Sequence, residues 1–124
     1  MIVLDEQLKD PRIAQAIERW YPGKVINICD ARLDTDIPDP DVPSLLRDLK
    51  DPTFVTINWP DFWPQRRTYR HSGYCVICLK LPGDKMHQVP RALRDALRHL
   101  PTKKERMGKI VLVGRDAIEI FPPE

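Results

Sequence analysis

Asp5, Asp41 and Asp61 are the residues in this chain whose type and placement suit metal chemistry, with Glu6 beside the first and Asp39 two positions before the second. Carboxylates brought within a few ångströms repel and raise one another's pKa unless a cation neutralises them. A hard divalent ion such as Mg²⁺ or Mn²⁺ removes that conflict: it takes oxygen ligands, commonly one or two carboxylates with waters and a substrate phosphate. It can also generate a hydroxide and stabilise phosphoryl oxygens during in-line displacement. Asn58, three residues before Asp61, adds an amide able to orient a water or a phosphate.

Whether those acids meet depends on the segments that carry them. Met1 to Leu4 is an apolar run that delivers Asp5 and Glu6 at its end, and Phe54, Val55 and Ile57 form a second run stopped by Asn58, Pro60 and Asp61. Between them, Asp10-Pro11 reads as an N-cap and first-turn proline. Ile13, Ala16, Ile17 and Trp20 follow at helical spacing, ended by Tyr21-Pro22-Gly23. Val25, Ile26 and Ile28 supply another strand. Residues 30–40 make a polar connection, and Val42, Leu45, Leu46 and Leu49 give a second helix started by Asp39-Pro40 or Asp41. This βαβαβ alternation predicts a mainly parallel sheet with crossover helices. Strands running the same way put Asp5, Glu6 and Asp61 on one rim, from which the second helix also starts. In open α/β sheets that rim is where ligands bind.

Farther on, residues 62–72 are basic, aromatic and the least regular part. Tyr74 to Leu81 predicts a fourth strand, broken by Pro82-Gly83-Asp84. Val89, Ala92, Leu93, Ala96, Leu97 and Leu100 define a long helix with Arg91, Arg94 and Arg98 outside its apolar stripe. Ile110 to Val113 and Ala117 to Phe121 flank Gly114-Arg115-Asp116 as a hairpin. The fold expected is α/β, a single domain over residues 1–124 with a mainly parallel central sheet, flanking helices and a C-terminal hairpin.

At 124 residues and 42% hydrophobic side chains, the chain suits one compact domain with a modest core. No apolar run approaches the roughly 18 residues of a membrane span, and the N-terminus lacks a secretory pattern, so a cytoplasmic protein without membrane association is expected. A formal charge of +2 is compatible with a polyanion partner without requiring one. Cys75 and Cys78 form a C-x-x-C inside a strand-like run, where residues three apart face opposite ways. With no second ligand pair at zinc-like spacing, they read as buried apolar thiols.

Each candidate also has a local reading. Asp39 or Asp41 could cap a helix, Asp61 could serve an Asx-turn, and Glu6 could be a solvated neighbour of Asp5. Asp5 resists such a reading, because an acid directly after a buried strand is costly without a partner. The arginine positions 91, 94 and 98 read as an exposed helix face or a nucleic-acid groove, and Trp59, Phe62 and Trp63 as packing residues before base-stacking platforms.

Ile2-Val3-Leu4-Asp5-Glu6-Gln7-Leu8, the acid near Asp41 and Phe54-Val55-Thr56-Ile57-Asn58-Trp59-Pro60-Asp61-Phe62-Trp63 together resemble the PIN-like nucleases, in particular small toxin-type members grouped as a domain of unknown function. The resemblance extends over nearly the whole chain. It implies a three-layer α/β/α fold, Mg²⁺- or Mn²⁺-dependent cleavage of RNA, and a cognate antitoxin masking the site; a homodimer is a further expected assembly. Carried over by position, the metal-binding acids are Asp5, Asp41 and Asp61, with Glu6 beside the first, Asp39 as the alternative middle acid and Thr56 supporting the rim. Relatives often have a second acid where this chain has Asn58. In the enzyme reading, Arg66, Arg67, Arg91 and Arg94 guide RNA.

Two other functions compete. One is a PIN-like module that lost full metal capacity through Asn58 and acts by RNA or protein contacts. The other is a phosphoacceptor signalling domain, which would place a lysine after its fifth strand, whereas here Val113 is followed by Gly114 and Arg115.

Overall fold

A computed structural model describes residues 1–31 and 42–122. Six strands form one sheet: β1 (Ile2–Leu4), β2 (Val25–Asn27), β3 (Thr53–Thr56), β4 (Cys75–Leu79), β5 (Ile110–Val113) and β6 (Ile118–Phe121), in spatial order β2-β1-β3-β4-β5-β6. Every neighbouring pair is parallel except β5 with β6. That exception is the expected hairpin, closed by the Gly114 amide donating to the Ala117 carbonyl at 2.8 Å.

Helices cover both faces, giving three α/β layers. On one face lie α1 (Pro11–Glu18) and α6 (Val89–His99), whose Ile13, Ile17, Val89 and Leu93 pack with Leu4, Val55 and Ile77. α1 starts as its sequence requires, with Asp10 accepting the Arg12 amide and Pro11 in the first turn. The opposite face receives α2 (Ile28–Ala31), α3 (Val42–Asp48), α4 (Trp59–Phe62) and α5 (Arg66–Tyr69), through Ile28, Leu46, Phe62 and Tyr69 on Phe54 and Val76. A short α7 (Lys103–Arg106) leads back toward β5.

The β4 thiols show how strand alternation builds both cores. Cys75 packs in the α1/α6 layer and Cys78 in the other, so the C-x-x-C pair cannot converge on one ion. Burial pushes both thiols up to about 12, keeping them protonated and unreactive at neutral pH.

Two segments differ from the sequence expectation. Ile28 starts α2 instead of extending β2, because the Asn27 side chain accepts the Cys29 amide at 3.0 Å and turns the backbone. The 62–72 stretch carries helical turns, since Phe62 and Tyr69 must both reach Phe54's layer: their rings lie 5.0 Å apart and Phe62 lies 5.6 Å from Phe54.

Candidate functional site at the carboxyl rim of the sheet

From β1 the chain crosses to β2 on one side and then returns past β1 to β3 on the other. The crossovers therefore diverge between β1 and β3, and in open α/β sheets the carboxyl ends of the strands at such a point are where ligand crevices form. Asp5 and Thr56 stand there.

Asp5 is 5% exposed and Thr56 wholly buried. The Thr56 hydroxyl donates to Asp5 Oδ2 at 2.6 Å, and the Glu6 amide donates to Asp5 Oδ1 at 2.8 Å. Asp5 thereby caps the 3-10 turn Glu6–Leu8 while its own amide extends the ladder to Val55 at 2.9 Å. From β2, Asn27 Nδ2 donates to the Asp5 carbonyl at 3.1 Å. With Asn27 holding the main chain behind it, Thr56 and the Glu6 amide thus fix the carboxylate. Burying it would cost several kcal/mol without such partners, roughly the scale that a charge-assisted bond and a backbone donor offset.

The network continues outward from Thr56. Its hydroxyl accepts the Asn58 amide at 2.9 Å, and Asn58 Nδ2 donates to Asp61 Oδ2 at 2.8 Å. Asp61 lies in the first turn of α4, one helical turn past the strand, and is exposed. It shares the rim with Asp5, and the hydrogen bonds joining the two run through Asn58 and Thr56. Glu6 is half-buried beside Asp5. Asp39 and Asp41 lie outside the described residues, and among the described residues no three histidine, cysteine or carboxylate side chains come together to hold a metal.

In type, the donors at the crevice are carboxylate, hydroxyl and amide oxygens, while the nearby Cys78 thiol stays protonated, partly through the Asp5 charge. Oxygen donors of these kinds are the type that a hard cation such as Mg²⁺ or Mn²⁺ takes, and a protonated thiol is no ligand for a soft one.

No protein-family model, curated protein or solved structure matches this chain. Its own residues carry the functional reading.

The basic candidates divide between layers. Arg91 and Arg94 project from α6 on one face, with Arg94 lying 5.9 Å from the Trp20 ring centre. Arg66 and Arg67 belong to α5 on the other face. Arg66 stacks 4.6 Å from the Trp63 ring centre and 5.5 Å from that of Phe121. Phe121 pairs with Ile110 at the start of β5, so Arg66 stands at the end of the sheet away from Asp5. Arg91 instead lines a cleft of about 1110 Å³ that reaches the carboxyl ends of β4 and β5 and includes Lys80 and Arg115.

Two rim residues escaped the sequence reading. Asn27 sits among Val25, Ile26 and Ile28, and this polar break in an apolar run was the available signal. Lys80 is the first residue after β4, with its Nζ 4.8 Å from the Trp59 ring centre, so its ammonium stands over the first residue of α4.

Proposed function

We propose that this protein is a divalent-cation-dependent ribonuclease acting at the crevice between β1 and β3. The observation that carries the reading is Asp5: a buried carboxylate at the point where the crossovers diverge, aimed by a buried threonine hydroxyl. Asp5 would hold Mg²⁺ or Mn²⁺, with Asp61 and Asp41 (or Asp39) as the further carboxylates. When bound, the ion would lower the pKa of a water and neutralise charge on phosphoryl oxygens.

The chain's own groups do the rest. Thr56 fixes the Asp5 carboxylate, Asn58 holds Asp61 by its amide, and Glu6 adds negative charge beside the crevice. Lys80 and Arg91 draw the phosphate backbone toward the rim, whereas Arg94, one turn farther along α6, lies toward the opposite end of the sheet and takes no part there. The toxin role, and an antitoxin covering the rim, belong to the same proposal through the resemblance described above.

Titration with Mg²⁺ and with Mn²⁺ tests this reading. Either ion should raise the melting temperature and support cleavage of single-stranded RNA, and Asp5→Asn should abolish both effects. If neither ion changes stability or cleavage in the unaltered protein, the enzyme reading is wrong.

The Asn58–Asp61 hydrogen bond supports a second reading, in which a neutral amide stands in for a ligand and the domain binds RNA without cutting it. RNA binding that persists in chelator, with no cleavage under any metal condition, would favour this alternative.

A further inference from the structure

At the opposite end of the sheet, the segments that precede β1, β2 and β5 surround a pocket of about 570 Å³. It is lined by Trp20 and Tyr21 after α1, Arg94 and Arg98 on α6, and Lys103 and Arg106 on α7. Four cationic side chains thus face one space, and no carboxylate lies among its lining residues. The nearest compensation is peripheral. Arg98 pairs with Asp95 at 3.3 Å, with side chains 67% and 56% exposed, and Lys103 reaches Asp51 only at 4.0 Å. Such exposed pairs contribute little.

Arg106 is the decisive residue. It is only 7% exposed, its Nη1 donates to the Leu100 carbonyl at 2.9 Å, and its buried Nε meets no hydrogen-bond partner among the described residues. A buried guanidinium with a free donor and no carboxylate beside it is costly for a fold to keep. An anion in the pocket offsets the uncompensated charge of the four cations, and a guanidinium presents a planar fork of donors suited to phosphate oxygens. The volume lies in the range of small-ligand sites. One wall is aromatic: Trp20 and Tyr21 meet edge to face at 6.2 Å, and Arg94 stands over the Trp20 ring.

We infer that this pocket is an anion site for a small phosphate ester that carries a flat ring, with Arg106 and Arg94 on the phosphate and Trp20 against the ring. It is separate from the rim, so it stands or falls independently of the nuclease reading.

The test is a titration with adenosine 5′-monophosphate, inorganic phosphate and adenosine, followed by calorimetry and by the NMR signals of the Trp20 indole N–H and Arg106 Nε–H. The monophosphate should saturate and move both signals, phosphate should bind about tenfold more weakly and move only the arginine, and adenosine should do neither. Arg106→Met should abolish binding, and Arg94→Ala should weaken it by about tenfold, which corresponds to about 1.4 kcal/mol. Should Arg106→Met fail to fold, Arg94→Ala and Lys103→Ala on the exposed side of the pocket still decide the matter. Asp5→Asn should bind as the unaltered protein does. The inference is overturned if neither phosphate nor the monophosphate gives saturable binding, if sulfate and chloride reproduce the response, or if Arg94→Ala and Lys103→Ala both leave affinity unchanged.

Discussion

Replacing Thr56 by valine keeps the shape of a wholly buried side chain and removes only its hydroxyl, which isolates what that oxygen does. Two bonds disappear together. The Asp5 carboxylate loses a donor at 2.6 Å, a charge-assisted bond on the order of 1.5–3 kcal/mol, and the Asn58 amide loses its acceptor at 2.9 Å, which costs about 1–3 kcal/mol when left unmade. The expected destabilisation is therefore about 3–5 kcal/mol, or a fall in Tm of about 10 °C or more for a chain of this size. Thr56→Ser retains both bonds and loses one methyl, so it should cost about 1 kcal/mol. Urea unfolding of the two variants, followed by circular dichroism, makes the comparison. A double-mutant cycle with Asp5→Asn should give a coupling of about 1 kcal/mol or more, because the two groups touch. If the valine variant is no less stable than the serine one, Thr56 does not anchor the carboxylate and the geometric basis of the rim site fails.

The thiols give a pH prediction with a definite sign. Their folded pKa of about 12 lies above the ordinary value of 9.0, so their contribution to stability is complete below about pH 9 and is lost as pH rises toward 12. A Cys75→Ala, Cys78→Ala variant should lose less stability than the unaltered protein across that window, as measured by denaturant melts at fixed pH. Thiol reagents should label Cys29, which is half-buried, well before the other two. In RNA-binding measurements at low salt, Lys80→Ala with Arg91→Ala should weaken affinity more than Arg66→Ala with Arg67→Ala, because the former pair sits on the rim side of the sheet. Equal losses would reject the Lys80 assignment. Phe62→Ala should destabilise by about 3–5 kcal/mol by opening a cavity between Phe54 and Tyr69, measurable as a lower urea midpoint.

The sequence was most legible where one periodicity and one local signal agreed. Asp10-Pro11 with Ile13 and Ile17 fixed the start and face of α1, and Gly114 between two β-branched runs gave the hairpin. Strand alternation alone separates Cys75 from Cys78, which lie three apart. Asp5 meeting Thr56 was also within reach, because parallel β1 and β3 must end together. The pieces that were not legible depend on side chains bonding back to the main chain. Asn27 turns Ile28 into a helix by accepting a nearby amide, and α4 carries Asp61 one turn past the strand, where Asn58 holds it. Phe62 and Tyr69 bury one side of a stretch whose arginines and prolines mask the helical spacing. Arg106 gave no signal at all, since its burial depends on Leu100, six residues before it, and on the segments at Met1 and Trp20, far away in sequence.

β1 contains only three residues, yet Met1 lines the cationic pocket and Asp5 forms the floor of the rim. Four strand steps separate these positions, a distance of roughly 13 Å. Both extremities of the molecule are therefore tied to one short, fully enclosed rod that is hydrogen-bonded on either flank. Any slide of that rod along its own axis would displace both positions together and stretch the 2.6 Å contact at Thr56, so the pairing that locks its register also fixes the acid.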